Sequence, residues 1–300
     1  MAFTHILMAL AVCFLWGCNF IAIKYSYESF PPFASLTIRF ILTLIPLIFF
    51  VPRPKCSWGL LFKISLFQWI GQFGMSYSAI YLGLTPGLTA LLLQSHIIFT
   101  LLISIFFYQY KPQMIELLGI CIAVLGFSLI GSQIDGAIFI GGFLCVLFAG
   151  LSIACSTMIL RGQRNLNMFQ IIIWSCIFPI LPMYGLSWFF EGPQAVFEGF
   201  SKLTVNAGIS LLYTAYFSTI VATPLWGILL KNYEPAKITP FMLLIPVFAM
   251  ISSYFAFGET LTTTSILASA LTIIGLFVNQ LSRRLTNRFI TAKESRIEKA

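Results

Sequence analysis

The sequence predicts an all-α polytopic membrane protein of ten transmembrane helices, arranged as two inverted five-helix repeats. Three observations predict it. Hydrophobic residues make up 59% of the chain and charged residues 9%, well below the roughly 25% charge typical of a soluble domain. Apolar runs of about 20 residues recur along the whole length, each long enough to cross about 30 Å of hydrocarbon as a helix; a β-barrel would show short segments of alternating polarity instead. The second half also echoes the first. At an offset of 149 positions, Pro86, Phe99, Ser104, Phe106, Leu118 and Gly126 meet Pro235, Phe248, Ser253, Phe255, Leu267 and Gly275.

The apolar runs fall at 4–24, 33–51, 60–82, 87–108, 113–131, 137–160, 168–190, 205–230, 236–257 and 262–282. The first lacks a basic leader and a small-residue cleavage site, so it reads as a retained helix, not a signal peptide. Helix two carries Arg39 about 10 Å inside the apolar layer, from the rise of 1.5 Å per residue. Helix three carries Gln68, Gln72 and Ser76 at a spacing of four. Gln94 and His96 fall near the middle of helix four. An extended loop is expected around Glu191–Lys202, and it accounts for a second echo with a shorter offset, 137: Cys18–Lys24 matches Cys155–Arg161, each ending in a cation. Pro46, Pro179, Pro182, Pro224, Pro240 and Pro246 interrupt helices, as hinges or as packing kinks. After the turn at Gly258-Glu259-Thr260 comes helix ten. Five helices is an odd number, so two copies must face opposite ways across the membrane, and inverted repeats place a solute site between the halves. The expected division is residues 1–132, residues 133–282 and a basic tail, 283–300.

Charge placement sets the orientation. With a cytoplasmic N-terminus, Arg53, Lys55, Lys63, Lys111, Arg161, Arg164, Lys231, Lys237 and six cations of the tail lie on the cytoplasmic side; only Lys24, Arg39 and Lys202 lie toward the other. That bias predicts a multi-pass protein of the inner (plasma) membrane with both termini cytoplasmic. It also assigns the net charge of +8 to topology and lipid headgroups, with no nucleic-acid partner. The seven cysteines stand singly, without a CxxC, which predicts neither a disulfide framework nor a zinc site. Two histidines and few embedded acids supply no catalytic constellation, and no Gly-Lys-Ser/Thr loop binds a nucleotide phosphate. No enzyme activity, metal or cofactor is expected.

The polar residues inside the runs are the candidate site. Gln68, Gln72 and Ser76 share one helix face, which must point inward because unpaired amides in lipid are costly. That face either lines a cavity for a polar solute or bonds a neighbouring helix. Gln94 and His96 differ by two positions and point to different faces. His96 can change charge near neutral pH or serve as a neutral hydrogen-bonder. Arg39 can snorkel outward or meet a substrate carboxylate, and Lys24, at a helix end, is expected to snorkel. Glu116 and Glu259 are expected to be solvated. Trp16, Asn19, Tyr77, Tyr213, Tyr216 and Trp226 can line a cavity or pack.

Trp16-Gly17-Cys18-Asn19-Phe20 with Lys24, followed by Arg39-Phe40, resembles the opening signature of the drug/metabolite transporter superfamily, EamA type. Phe257-Gly258-Glu259 after Pro246-Val247-Phe248 resembles its second-repeat signature. Gln68, Pro86-Gly87-Leu88 and Leu93-Gln94 resemble the branch that exports amino-acid metabolites. The first repeat departs from the pattern: Ile97 stands where Pro246 predicts a proline, and Gln109-Tyr110 replaces Gly-Glu. The resemblance implies a secondary transporter that exports amino acids or related small metabolites by alternating access. The alternative is an importer or exchanger of a nucleotide-like or other small polar solute. It also implies a central cavity among helices one to four and six to nine, with helices five and ten peripheral. The expected substrate-binding residues are Trp16, Asn19, Arg39, Gln68, Gln72, Gln94, His96, Tyr213 and Trp226. The expected partners are a small polar metabolite, membrane lipids and protons as coupling ion. For the topology, single cysteines at Ser29 and Ser201 should label from outside the cell, and one at Ser295 only after permeabilisation. External labelling of Ser295 would overturn the orientation.

Overall fold

The structure, a computed structural model, describes residues 1–132, 137–163, 166–233, 235–259 and 262–297. Arg164, Thr260 and the end of the tail with Lys299 lie outside the described residues, as do the side chains of the tail cations Arg283, Arg284, Arg288, Lys293 and Arg296. Every regular element among the described residues is a helix, with no strand among them. We label the long segments α1 Phe3–Ser26, α2 Pro32–Ile48, α3 Trp58–Tyr81, α4 Pro86–Tyr108, α5 Met114–Gly131, α6 Ala137–Arg161, α7 Met168–Glu191, α8 Val205–Asn232, α9 Thr239–Phe257 and α10 Thr263–Ile297.

Among the described residues, eight segments are long and apolar enough to cross a membrane: α1 and α4 to α10. α2 is apolar but has 17 residues, and α3 is broken into three stretches. The outer surface agrees with a hydrocarbon solvent. Phe49, Phe50, Phe107 and Phe255 are each at least 80% exposed, which a protein in water would not tolerate in such number.

Local chemistry sets the helix ends. Thr85 accepts from the Leu88 N–H and places Pro86 at the first position of α4, where its missing N–H is no loss. Ser57 caps α3 in the same way, and Asn167 caps α7. Pro179, Pro224, Pro240 and Pro246 each fall in the first turn of a helical stretch, so they begin stretches and do not break them. Pro46 and Pro182 lie inside helices. The region expected as an extended loop forms a short helix, Ala195–Ser201. Glu191, just before it, caps α2: its carboxylate accepts from Phe33 N–H at 2.7 Å and Ala34 N–H at 2.9 Å. α10 runs past its apolar run to Ile297, because no Gly or Pro occurs after Gly275 to stop it.

Three interruptions were not foreseen. π-helical stretches replace α-helix at Leu66–Gly74 in α3, at Ser187–Glu191 in α7 and at Tyr213–Val221 in α8. α4 breaks at Gln94 and Ser95 with no proline there. α9 changes from 3₁₀ to α-helix at Leu243–Leu244, 149 positions later.

α1 packs against α8 and α9, and α6 against α3 and α4; α2 pairs with α7, α4 with α9, and α5 with α10. The last three pairs are antiparallel. Phe33 lies by Glu191 while Val51 lies by Trp174. Gly87 meets Met250 while Gln94 meets Met242. α5 and α10 approach each other through small residues and pack on α4 and α9 through Phe127, Ala268, Ala123 and Leu276. A Cβ on Gly119 would stand 2.6 Å from the Gly275 oxygen, one on Gly275 2.5 Å from the Gly119 oxygen, and one on Gly126 2.7 Å from the Ala268 oxygen. Small residues are what let helices approach where lipid supplies no hydrophobic drive. Asn279 locks this pair by donating to the Glu116 carbonyl at 3.1 Å. Glu116 is therefore fully buried, not solvated as the sequence suggested. Gly126→Leu should cost about 1–3 kcal/mol through overpacking, seen as a lower melting temperature in detergent. An unchanged value would mean that the two helices can separate freely.

Candidate functional site

Arg39 is the centre of the polar interior. It is 2% exposed, so it does not snorkel. Its guanidinium donates from Nη1 to the Tyr77 hydroxyl at 3.0 Å and from Nη2 to Thr219 Oγ1 at 3.1 Å. It also lies 4.2 Å from the centre of the Phe73 ring. Among the described residues no carboxylate pairs with it; the ion pairs there join Lys24 to Glu259 and Lys202 to Glu198. A guanidinium has five N–H donors, and two are committed.

The two nine-residue π stretches supply the walls. A π turn widens the helix and shifts its hydrogen bonds by one residue. In α8, the Thr219 hydroxyl donates to the Thr214 carbonyl five residues back at 3.0 Å while accepting from Arg39. The carbonyl of Ser218, the residue before Thr219, accepts from Trp16 Nε1 at 3.0 Å. α1 and α2 thus reach consecutive residues of one π turn. Trp16 packs at 5.6 Å on Trp226, which is buried, and the Tyr213 hydroxyl donates to the Leu15 carbonyl at 2.9 Å. Arg39, Trp16, Tyr213 and Trp226 therefore gather around α8, together with Phe73, Tyr77 and Thr219.

The other expected residues lie apart from that group or close on themselves. Gln68 donates to Gln72 at 2.6 Å within the π stretch of α3. The pair is half-buried and is satisfied inside its own helix, not by a neighbour. Ser76 is buried with its hydroxyl unpartnered. Gln94 donates to the Met242 carbonyl at 3.1 Å, so the break in α4 meets the change of helix type in α9. His96 Nδ1 sits 3.0 Å from the Leu93 carbonyl; a carbonyl only accepts, so Nδ1 carries the proton. Asn19 is 6% exposed and its Oδ1 has no hydrogen-bond partner. No group of His, Cys, Asp and Glu able to hold a metal ion occurs among the described residues.

Two sequence expectations are corrected. Lys24 does not snorkel: its Nζ lies 2.5 Å from Glu259 Oε1. Glu259 is not a solvated turn residue, since it also accepts from the Ser253 hydroxyl and its side chain is 16% exposed. Thr219 and Phe73 escaped the sequence reading altogether. A threonine and a phenylalanine in apolar runs carry no signal, and only the π turns aim them at Arg39.

An apolar helical assembly of this kind, with eight segments long and apolar enough to cross a membrane among the described residues, is an integral membrane protein, and its relatives make it a transporter. The chain belongs to the EamA-like transporter family, whose model matches it twice, over residues 3–132 and 137–280. A protein of Salmonella typhimurium described as a "probable amino-acid metabolite efflux pump" is 34% identical over 278 residues, covering 91% of this chain and 93% of its own. A protein of Escherichia coli with the same description is 32% identical over the same shares. One solved crystal structure shares the fold at a TM-score of 0.65, with 16% identity, over 93% of this chain and 97% of the other.

The site itself generates one stability prediction. Gln94→Leu takes the amide donor from the part-buried Met242 carbonyl and should cost about 1–3 kcal/mol, whereas Gln68→Leu breaks only a bond within one helix and should cost less. Melting temperatures of the two purified variants compare them directly. Equal losses would mean that the contact between α4 and α9 contributes nothing.

Proposed function

We propose that the protein is a secondary transporter of the inner (plasma) membrane, with both termini cytoplasmic, which exports amino acids or related small metabolites by alternating access. Its two units are residues 1–132 and 133–282, each of five membrane-crossing helices and inverted relative to the other. The observation that carries the substrate side is Arg39. A buried charge without a counter-ion costs several kcal/mol, and a chain that keeps one has a use for it. A substrate carboxylate is the counter-ion that fits three uncommitted guanidinium donors. Trp16, Tyr213 and Trp226 give the rest of the solute an apolar and aromatic wall. Asn19 Oδ1, Gln68 and Gln72 offer acceptors and donors without charge, as amine and hydroxyl groups require. The names of the two bacterial relatives point the same way.

Inversion is supported by pairing. Exchanging α1 with α6, α2 with α7, and so on to α5 with α10 maps the observed packing onto itself, and the three pairs that join exchanged helices are antiparallel. Copies that face opposite ways account for that result. The discontinuities of α4 and α9 lie at equivalent positions and meet at the Gln94–Met242 bond. Broken helices at the midplane are where such transporters bend.

In proteoliposomes, Arg39→Lys should raise the KM for a carboxylate solute by about 30-fold or more, since it keeps the charge and loses the bidentate fork. Arg39→Gln should abolish transport while the protein keeps its melting temperature, because glutamine can still reach Tyr77 and Thr219. Unaltered transport by Arg39→Gln would remove the carboxylate role. If protons drive the export, His96 is the group to carry them. His96→Gln should then flatten the pH dependence of transport; an unchanged profile leaves His96 holding the broken turn of α4.

A further inference from the structure

We propose that the same cation–aromatic latch closes each of the two ends of the solute path, and that a carboxylate paired with the latch cation at only one end biases which end stays shut. The inference rests on the transporter reading above for its consequence, though not for its geometry.

At one end, Lys24 in the last turn of α1 holds its Nζ 4.2 Å from the centre of the Phe257 ring, the last residue of α9. Tyr25 adds a second ring contact to Phe257 at 4.8 Å and a hydrogen bond to the Ala256 carbonyl at 3.4 Å. At the other end, Arg161, the last residue of α6, lies 5.6 Å from the centre of the Tyr108 ring, the last residue of α4. The cation–ring contact is the same at both ends; that of Tyr25 has no counterpart, since Gly162 stands at the matching position. Arg161 follows Lys24 by the offset of one internal echo, 137, and Phe257 follows Tyr108 by the offset of the other, 149. α4 and α9 are antiparallel, so their C-terminal ends, and the two latches, lie at opposite ends of the molecule. The backbone turn that follows each ring repeats as well: Gln109 and Gly258 are both left-handed, at φ 51° and φ 64°.

The next residue breaks the equivalence. After Gly258 stands Glu259, which takes Lys24 at 2.5 Å with one oxygen and the Ser253 hydroxyl with the other. After Gln109 stands Tyr110, whose hydroxyl goes to Glu116 at 2.8 Å. Arg161 makes no ion pair among the described residues and, like Tyr108, is exposed. An ion pair shielded by rings is worth more than a cation over a ring in solvent. The end flanked by α1 and α9 is therefore the one held shut at rest. With a cytoplasmic N-terminus, that is the outer end. The resting protein then opens to the cytoplasm, the side from which an exporter loads.

The test needs no transported solute. In a cysteine-free background, a cysteine at Ser252 lies two turns below Glu259 and faces Cys18 of α1, 3.5 Å away in the native chain. Its rate of labelling by a small maleimide in purified protein reports opening of that end. Glu259→Gln should raise the rate about two- to five-fold. Lys24→Glu combined with Glu259→Lys should bring it back. Arg161→Ala, which removes the cation–ring contact at the opposite end, should make a cysteine at the equivalent Ile103 label faster and the one at Ser252 more slowly. A Ser252 rate unmoved by Glu259→Gln overturns the proposal, and so does a charge exchange that labels as fast as the single variant. The two readings fail separately. Rates that follow the latch in a protein that carries no amino-acid metabolite would sink the transport reading alone, and transport with latch-independent rates would sink this one alone.

Discussion

In hydrocarbon no water replaces a missing hydrogen bond, and the interior of this chain is organised by that constraint. Wherever the backbone departs from α-helix, a side chain uses what the departure frees. The Ser218 carbonyl in the π turn of α8 takes the Trp16 indole, and the Thr214 carbonyl takes the Thr219 hydroxyl. The Met242 carbonyl, where α9 changes helix type, takes the Gln94 amide. Glu191 satisfies the exposed N–H groups that open α2. Each of these bonds except that of Thr219 joins two long helices, so the same bonds that satisfy the backbone fix the packing.

Arg39 is the place where the constraint is met only in part. Tyr77 and Thr219 hold the guanidinium in place, and the Phe73 ring supports its face, but nothing among the described residues neutralises it. By contrast, Lys24 is neutralised by Glu259. The difference separates a cation that fastens two helices through an ion pair from one held by neutral partners alone, and it follows from partners, not from residue type.

Duplication gives the protein two of nearly everything: π turns in α3 and α8, discontinuities in α4 and α9, a cation over a ring at each end, and a seam of small residues between α5 and α10. A molecule whose halves were identical would have no reason to prefer one open end. The positions where the copies differ, such as Tyr110 against Glu259, are where such a preference can be written at small cost, because one residue in a turn alters a latch without touching the packing below it.

The sequence by itself determined the class, the helix runs and the family. A membrane solvent imposes length and polarity on every crossing segment, and that demand is readable one segment at a time. It also showed the duplication, through Pro86 and Pro235 or Gly126 and Gly275, and it singled out Arg39, Trp16, Tyr213 and Trp226 as polar or aromatic residues in apolar surroundings. What it left open was which of these meet. Gln68 bonds to Gln72 and not to a neighbour; Lys24 and Glu259, 235 positions apart, pair, though Lys24 was read as snorkelling and Glu259 as solvated. Thr219 reaches Arg39 because a π turn rotates it there, and hydrophobic periodicity does not register one inserted residue. Tertiary structure decided these points, because a hydrogen bond depends on ångströms between helices, whereas crossing a membrane depends on the composition of one.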